Sequence, residues 1–167
     1  MKVLIAYSSK TGNTEYFCNE VYKNIKDDCE QIDIAKLKDV SGYEDYDMVV
    51  AGFWVDRTTA NAEAMKFIKK IHGKKVALLG TLGASPDSEH AAKVRENVKE
   101  LVHESNEYLG VRLARGKVDE KMIKRIKLIP FVPKKIKDQM YETSIHSREP
   151  NAEEIAEATA FMKSILA

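Results

Sequence analysis

Residues 1–17, MKVLIAYSSKTGNTEYF, govern how the rest of the chain is read. Val3–Tyr7 is an unbroken apolar run, the pattern of a strand buried on both faces. Seven small or polar residues follow, Ser8 to Thr14, and helical spacing then begins with Phe17, Cys18, Val21, Tyr22 and Ile25. Ser8, Ser9, Thr11 and Thr14 supply hydroxyl donors, Gly12 lets the backbone turn sharply, and Asn13 tolerates a left-handed conformation. The helix that follows points its free N–H groups and the positive end of its dipole at the same spot. Together these form a nest sized for one phosphate. Lys10 is the only cation in the loop, and the spacing is neither GxxxxGK[ST] nor GxGxxG. A nucleoside triphosphate and a dinucleotide pyrophosphate are therefore not implied. The competing reading is an ordinary strand-to-helix cap rich in Ser and Thr.

The same alternation continues along the chain. Gln31–Ile34 reads as a short strand, Met48–Phe53 as a buried one, and Ala60–Ile71 as a helix with Ala64, Phe67, Ile68 and Ile71 inward. Val76–Gly80 is a fourth strand. Pro86–Tyr108 reads as one long helix opened by Ser85-Pro86, and Val111–Ala114 as a fifth strand. Ala152–Leu166 is a last helix with Asn151 and Glu154 in cap positions. Ile126–Pro150 carries three prolines and no clean period, and reads as a loop or small insertion. Strands alternating with helices of this length predict a doubly wound α/β fold, a five-stranded parallel sheet with helices on both faces, in a single domain over 1–167. Ligands of such sheets gather beyond the carboxyl ends of the strands. The loops of interest are therefore Ser8–Thr14, Gly52–Asp56 and Gly80–Pro86.

Composition narrows the class. The 167 residues are 44% hydrophobic and 32% charged, which suits a globular protein. No apolar run approaches about 18 residues and the N-terminus lacks a signal-peptide core, so no membrane association and a cytoplasmic location are expected. Cys18 and Cys29 show no zinc or redox spacing and read as free, buried thiols. The four histidines (72, 90, 103, 146) show no metal-ligand spacing. Net charge is +1, yet Arg112–Lys137 holds ten Lys/Arg against two acids, a local +8. That block either forms a solvated helix face or meets an acidic partner. No aromatic interleaving accompanies it, so nucleic acid is not expected.

Ser9-x-Thr11-Gly12-Asn13-Thr14 after a first strand resembles the phosphate loop of flavodoxins, [ST]-x-T-G-x-T, and the alternation over nearly the whole chain is similar to that family. The resemblance implies a flavodoxin-like fold with strand order 2-1-3-4-5, noncovalent FMN, and electron transfer to a redox partner protein. More loosely, the chain resembles the flavodoxin-like proteins that accompany bilirubin reductase. The resemblance assigns Ser8, Ser9, Lys10, Thr11, Gly12, Asn13 and Thr14 to the phosphate. It assigns Trp54, the only Trp, to stacking on the flavin, with Phe53, Val55 and Asp56 beside it. Phe53 itself is expected to point into the core. Thr81, Leu82, Gly83 and Ala84 would offer backbone groups to the ring edge.

Two departures stand out. Many flavodoxins carry a Tyr in the third loop, and here Leu82–Ser85 stand instead, leaving the second flavin face open or covered from elsewhere, for example by Tyr141. Flavodoxins are also typically acidic, whereas this chain is near neutral with a basic block, so an acidic partner docking on 112–137 is expected. The flavin would carry the chemistry, and no side chain is assigned a catalytic role. The alternative is a flavin-dependent NAD(P)H or quinone-type oxidoreductase on the same fold. A receiver domain would need acids after the first strand, and a low-molecular-weight phosphatase would need C-x5-R there. Neither is present.

Overall fold

A computed structural model describes residues 1–167. The strands are β1 (Lys2–Tyr7), β2 (Gln31–Lys36), β3 (Met48–Asp56), β4 (Thr59–Ala60), β5 (Lys75–Leu82) and β6 (Glu107–Arg115). Five of them lie parallel in the order β2-β1-β3-β5-β6, and β4 pairs antiparallel with the end of β3. This is the expected 2-1-3-4-5 order with one two-residue strand added. The helices are α1 (Asn13–Ile25), α2 (Ala62–Lys70), α3 (Glu89–Glu100), α4 (Glu120–Lys127), α5 (Lys134–His146) and α6 (Ala152–Leu166).

Alternation along each strand divides the core in two. Val3, Ile5, Met48 and Val50 face α1 and α6, where Phe17, Val21, Ile155 and Met162 meet them. Leu4, Val49, Phe53 and Leu78 face α2 and α3, packing on Ala64, Ile68, Val94 and Val98. Each fully buried large side chain contributes roughly 1.5–3 kcal/mol. Backbones approach closely at Gly52, where a Cβ would stand 2.6 Å from Tyr7 Cβ and 2.7 Å from Cys18 Sγ. Cys18 is buried as expected, but Cys29 is only half-buried.

Several boundaries differ from the sequence-based expectation. The third helix does not begin at Pro86. Ser88 is its N-cap, with Oγ accepting from Ala91 N at 3.1 Å, and Ser85–Ser88 form a preceding turn. Nor does it run to Tyr108. Asn106 accepts from Lys74 N at 3.0 Å and donates to Ile71 O at 2.7 Å, which pins a turn there and starts β6 at Glu107. Residues 126–150 are not a loop: they complete a helical hairpin, α4 and α5. Asp119 caps α4, accepting from Lys121 N at 2.9 Å. Its base is tied down by Arg115, which donates to His146 O at 2.8 Å, and by Val118 N, which donates to Ser147 Oγ at 2.9 Å. The last helix carries the expected capping box, Asn151 with Glu154. No helix is long and apolar enough to cross a membrane.

Candidate functional site

A cavity of about 1380 Å³ opens at the carboxyl ends of the parallel strands. Ordinary ligand pockets run to roughly 300–1,000 Å³. Three predicted loops meet there: Ser9, Lys10, Thr11, Asn13 and Thr14 from the first, Trp54, Val55 and Asp56 from the second, and Thr81, Leu82, Gly83 and Ala84 from the third.

The first loop leaves several hydrogen-bond donors without an internal partner. Gly12 takes φ +95° as the N-cap of α1, a conformation a side chain would oppose. The backbone N–H groups of Thr11, Asn13 and Thr14 have no acceptor within the chain, because the first helical bond is Tyr16 N to Gly12 O. Ser9 Oγ accepts from Gly12 N at 3.2 Å and Thr11 Oγ1 accepts from Asn13 Nδ2 at 2.9 Å. Both hydroxyl protons therefore stay free to donate to a ligand. Asn13 bridges further, donating to Lys117 O at 3.0 Å and accepting from Lys117 N at 3.2 Å.

Three assigned residues play a different part. Ser8 is buried and turned away, donating to Glu63 and accepting from Asn61 Nδ2 at 2.9 Å. Gly12 contributes its conformation rather than cavity wall. Phe53 is fully buried behind the strand, as its side chain was expected to be. Thr14 lines the cavity, but its Oγ1 lies 3.3 Å from Phe53 O and 2.8 Å from Thr81 Oγ1, so its hydroxyl is engaged internally and its N–H is the free donor.

The second loop is a hairpin. β3 continues to Asp56, and Arg57 turns the chain at φ 60° into β4. Asn61 clamps it: its Oδ1 accepts from Trp54 N at 3.2 Å, and its N–H donates to Trp54 O at 3.0 Å. Trp54 is thereby held half-buried at the cavity wall with Lys10 Nζ 5.4 Å above its ring.

The α4–α5 hairpin closes the remaining side through Met122, Ile123, Gln139, Met140 and Thr143. A Cβ on Gly83 would stand 2.6 Å from Val118 Cγ2 and 3.4 Å from Thr143 Cγ2, so the third loop lies directly under this segment. Tyr141 does not line the cavity; its ring sits 4.3 Å from Lys127 Nζ. Gly116–Asp119, beyond β6, also line it and were missed. The rule that ligands gather beyond strand ends applies to that strand too, and Gly116 was the signal.

The family model described as Flavodoxin domain matches residues 4–163. The chain belongs to the flavodoxin family. It is 32% identical over 170 residues to the flavodoxin-like domain-containing protein BilS of Clostridioides difficile (strain CD3), covering 99% of this chain and 97% of that one. Among solved structures, it is similar to a flavodoxin of Streptococcus pneumoniae TIGR4, with TM-score 0.56 and 19% identity over 76% of this chain and 93% of that one. It is also similar to Fusobacterium nucleatum flavodoxin bound to flavin mononucleotide, with TM-score 0.50 and 15% identity over 71% and 79% of the two chains. As a flavodoxin, it is a member of a family of flavin-binding electron-transfer proteins, and the cavity occupies the place in the fold where ligands of doubly wound sheets bind.

Proposed function

We propose that this flavodoxin binds one FMN noncovalently and relays electrons to a partner protein. The observation that carries the reading is the set of free donors at the start of α1. Three unpartnered backbone N–H groups and two free hydroxyl protons lie within one short loop with Lys10 as its only cation, which suits a monophosphate. Trp54 offers a flat apolar face in the same cavity, suited to offset stacking on an isoalloxazine. Leu82–Ala84 would border the ring edge, and Met122, Ile123 and Met140 would exclude water from its other side. The FMN-bound Fusobacterium nucleatum relative supports FMN as the flavin. When bound, the flavin supplies reversible electron transfer, while these residues bind, orient and shield it. The looser likeness to accessories of bilirubin reductase makes a reductase of that kind the first partner to try. Titration of the flavin-free chain with FMN tests the reading: quenching of flavin fluorescence at a one-to-one ratio is expected, and unquenched FMN sinks it.

A second reading rests on the size of the cavity and on Lys117, Lys134 and Lys135 in its lining. They leave room and charge for an anionic second ligand, as in an NAD(P)H oxidoreductase. Rapid bleaching of the flavin on mixing with NADPH or NADH would favour that reading over a pure carrier.

A further inference from the structure

The outer tip of the α4–α5 hairpin is unlike the rest of the surface. Leu128 is 83% exposed and Phe131 is 85% exposed, both in the turn between the helices. Close to them in sequence are Lys121, Lys124, Arg125, Lys127, Lys134, Lys135 and Lys137, of which Lys134 and Lys135 also reach the cavity, with Glu120 the only acid between 120 and 137. None of these seven cations has a carboxylate within 4.0 Å, so no ion pair offsets the local excess of positive charge. Two solvated apolar side chains ringed by uncompensated positive charge form the core and rim of a recognition patch.

We infer that this tip is a docking knob for an acidic redox protein, with Leu128 and Phe131 entering an apolar socket and the lysines facing carboxylates around it. The inference rests on the electron-transfer reading and names the kind of partner that reading leaves open. Charge complementarity selects an acidic occupant. Position selects a redox protein, because the inner face of the same hairpin, through Met122, Ile123 and Thr143, walls the cavity. An anionic bilayer fits less well. An interfacial helix needs its apolar residues on one face. Here the exposed Ile136 of α5 lies about 140° around the helix from Tyr141 and about 180° from Ile145, and Asp138 and Glu142 interrupt the basic charge.

The test immobilises the FMN-loaded chain and passes over it an acidic plant-type ferredoxin, a basic cytochrome c, and vesicles containing phosphatidylserine. Ferredoxin is expected to bind best, weakening about tenfold as salt rises past physiological strength. The triple variant Lys124→Glu, Arg125→Glu, Lys127→Glu should weaken that binding at least about tenfold. Phe131→Ser, in an exposed turn that leaves the fold intact, should weaken it about fivefold while leaving its salt dependence unchanged. Flavin absorbance should be retained throughout. Cytochrome c or vesicles binding more tightly than ferredoxin, or unchanged binding by either variant, overturns the knob. Because no knob residue tested here lines the cavity, the same measurement on flavin-free chain decides the docking surface even where FMN fails to bind.

Discussion

Asn61 is the residue on which the second loop depends. It is buried and makes three bonds to the first two loops, to Trp54 N, Trp54 O and Ser8 Oγ, while its carbonyl accepts from Met65 N at the start of α2. Asn61→Ala strands the Trp54 N–H and empties a polar site, so a stability loss of about 1–3 kcal/mol is expected in urea unfolding, with FMN affinity falling alongside it. An isolated stability loss with unchanged affinity would show that Trp54 does not hold the flavin. Ser8 illustrates what the sequence hides. Its hydroxyl reads as one more phosphate donor, and only Asn61 and Glu63, more than fifty positions away, turn it inward. Ser9, Thr11 and Gly12 were legible because their geometry is local to seven residues. The cysteines separate in the same way: burial pushes the Cys18 thiol up to about 12, whereas Cys29 is half-exposed. A disulfide thiol reagent near pH 8 is therefore expected to titrate one thiol in the native chain and both in urea. Two fast native thiols would contradict the packing of α1 on β3.

Among the elements, α6 was read correctly and α5 was not, and the reason is burial. Of the stripe expected for α6, Ile155, Ala158 and Met162 are buried, and only Ile165 is half-buried where Leu166 turns inward instead, so most of its apolar period is written in the sequence. No residue of α5 is buried, so no such period exists to be read. For α3 the apolar pattern ran on through Leu101 and Val102, but the Asn106 bonds to a neighbouring loop end the helix first. The start of α6 also has a pH signature. Burial alone would raise the Glu154 pKa, but hydrogen bonds from Arg148, at 2.9 and 3.0 Å, and from Asn151 N–H outweigh it and hold the carboxyl below its ordinary value. The folded state thus binds this proton less readily than the unfolded chain. The stabilisation is full at neutral pH and is lost as pH falls through the depressed folded value. Glu154→Gln should cost about 1–3 kcal/mol at pH 7, with the difference shrinking in acid unfolding titrations. A constant difference across pH would remove the charge from the account.

Across the molecule, stability is unevenly distributed. The sheet and α1, α3 and α6 share two apolar layers, whereas the α4–α5 hairpin contributes only Ile123 to the buried set. Elements with few buried contacts open first. Amide hydrogen exchange should therefore be fastest in α5 and slowest in β1, β3 and β5, and added FMN should slow α5 if the hairpin closes over the flavin. Equal protection in α5 and α3 would contradict this picture. The doubly wound architecture was legible because the central strands β1, β3 and β5 each carry an unbroken apolar run. The hairpin over the cavity was not, because what holds it is a few polar ties at its base.

The bridge between Asn13 and Lys117 carries one more consequence. It joins positions 104 residues apart and braces the Ser8–Thr14 loop against the turn beyond the last strand. On the ribosome, a chain grown only to α3 has synthesised its anion loop but lacks the partner that steadies it. Any ligand held by this loop is therefore expected to be captured late in biogenesis, on arrival of the final third of the polypeptide rather than on emergence of the loop itself.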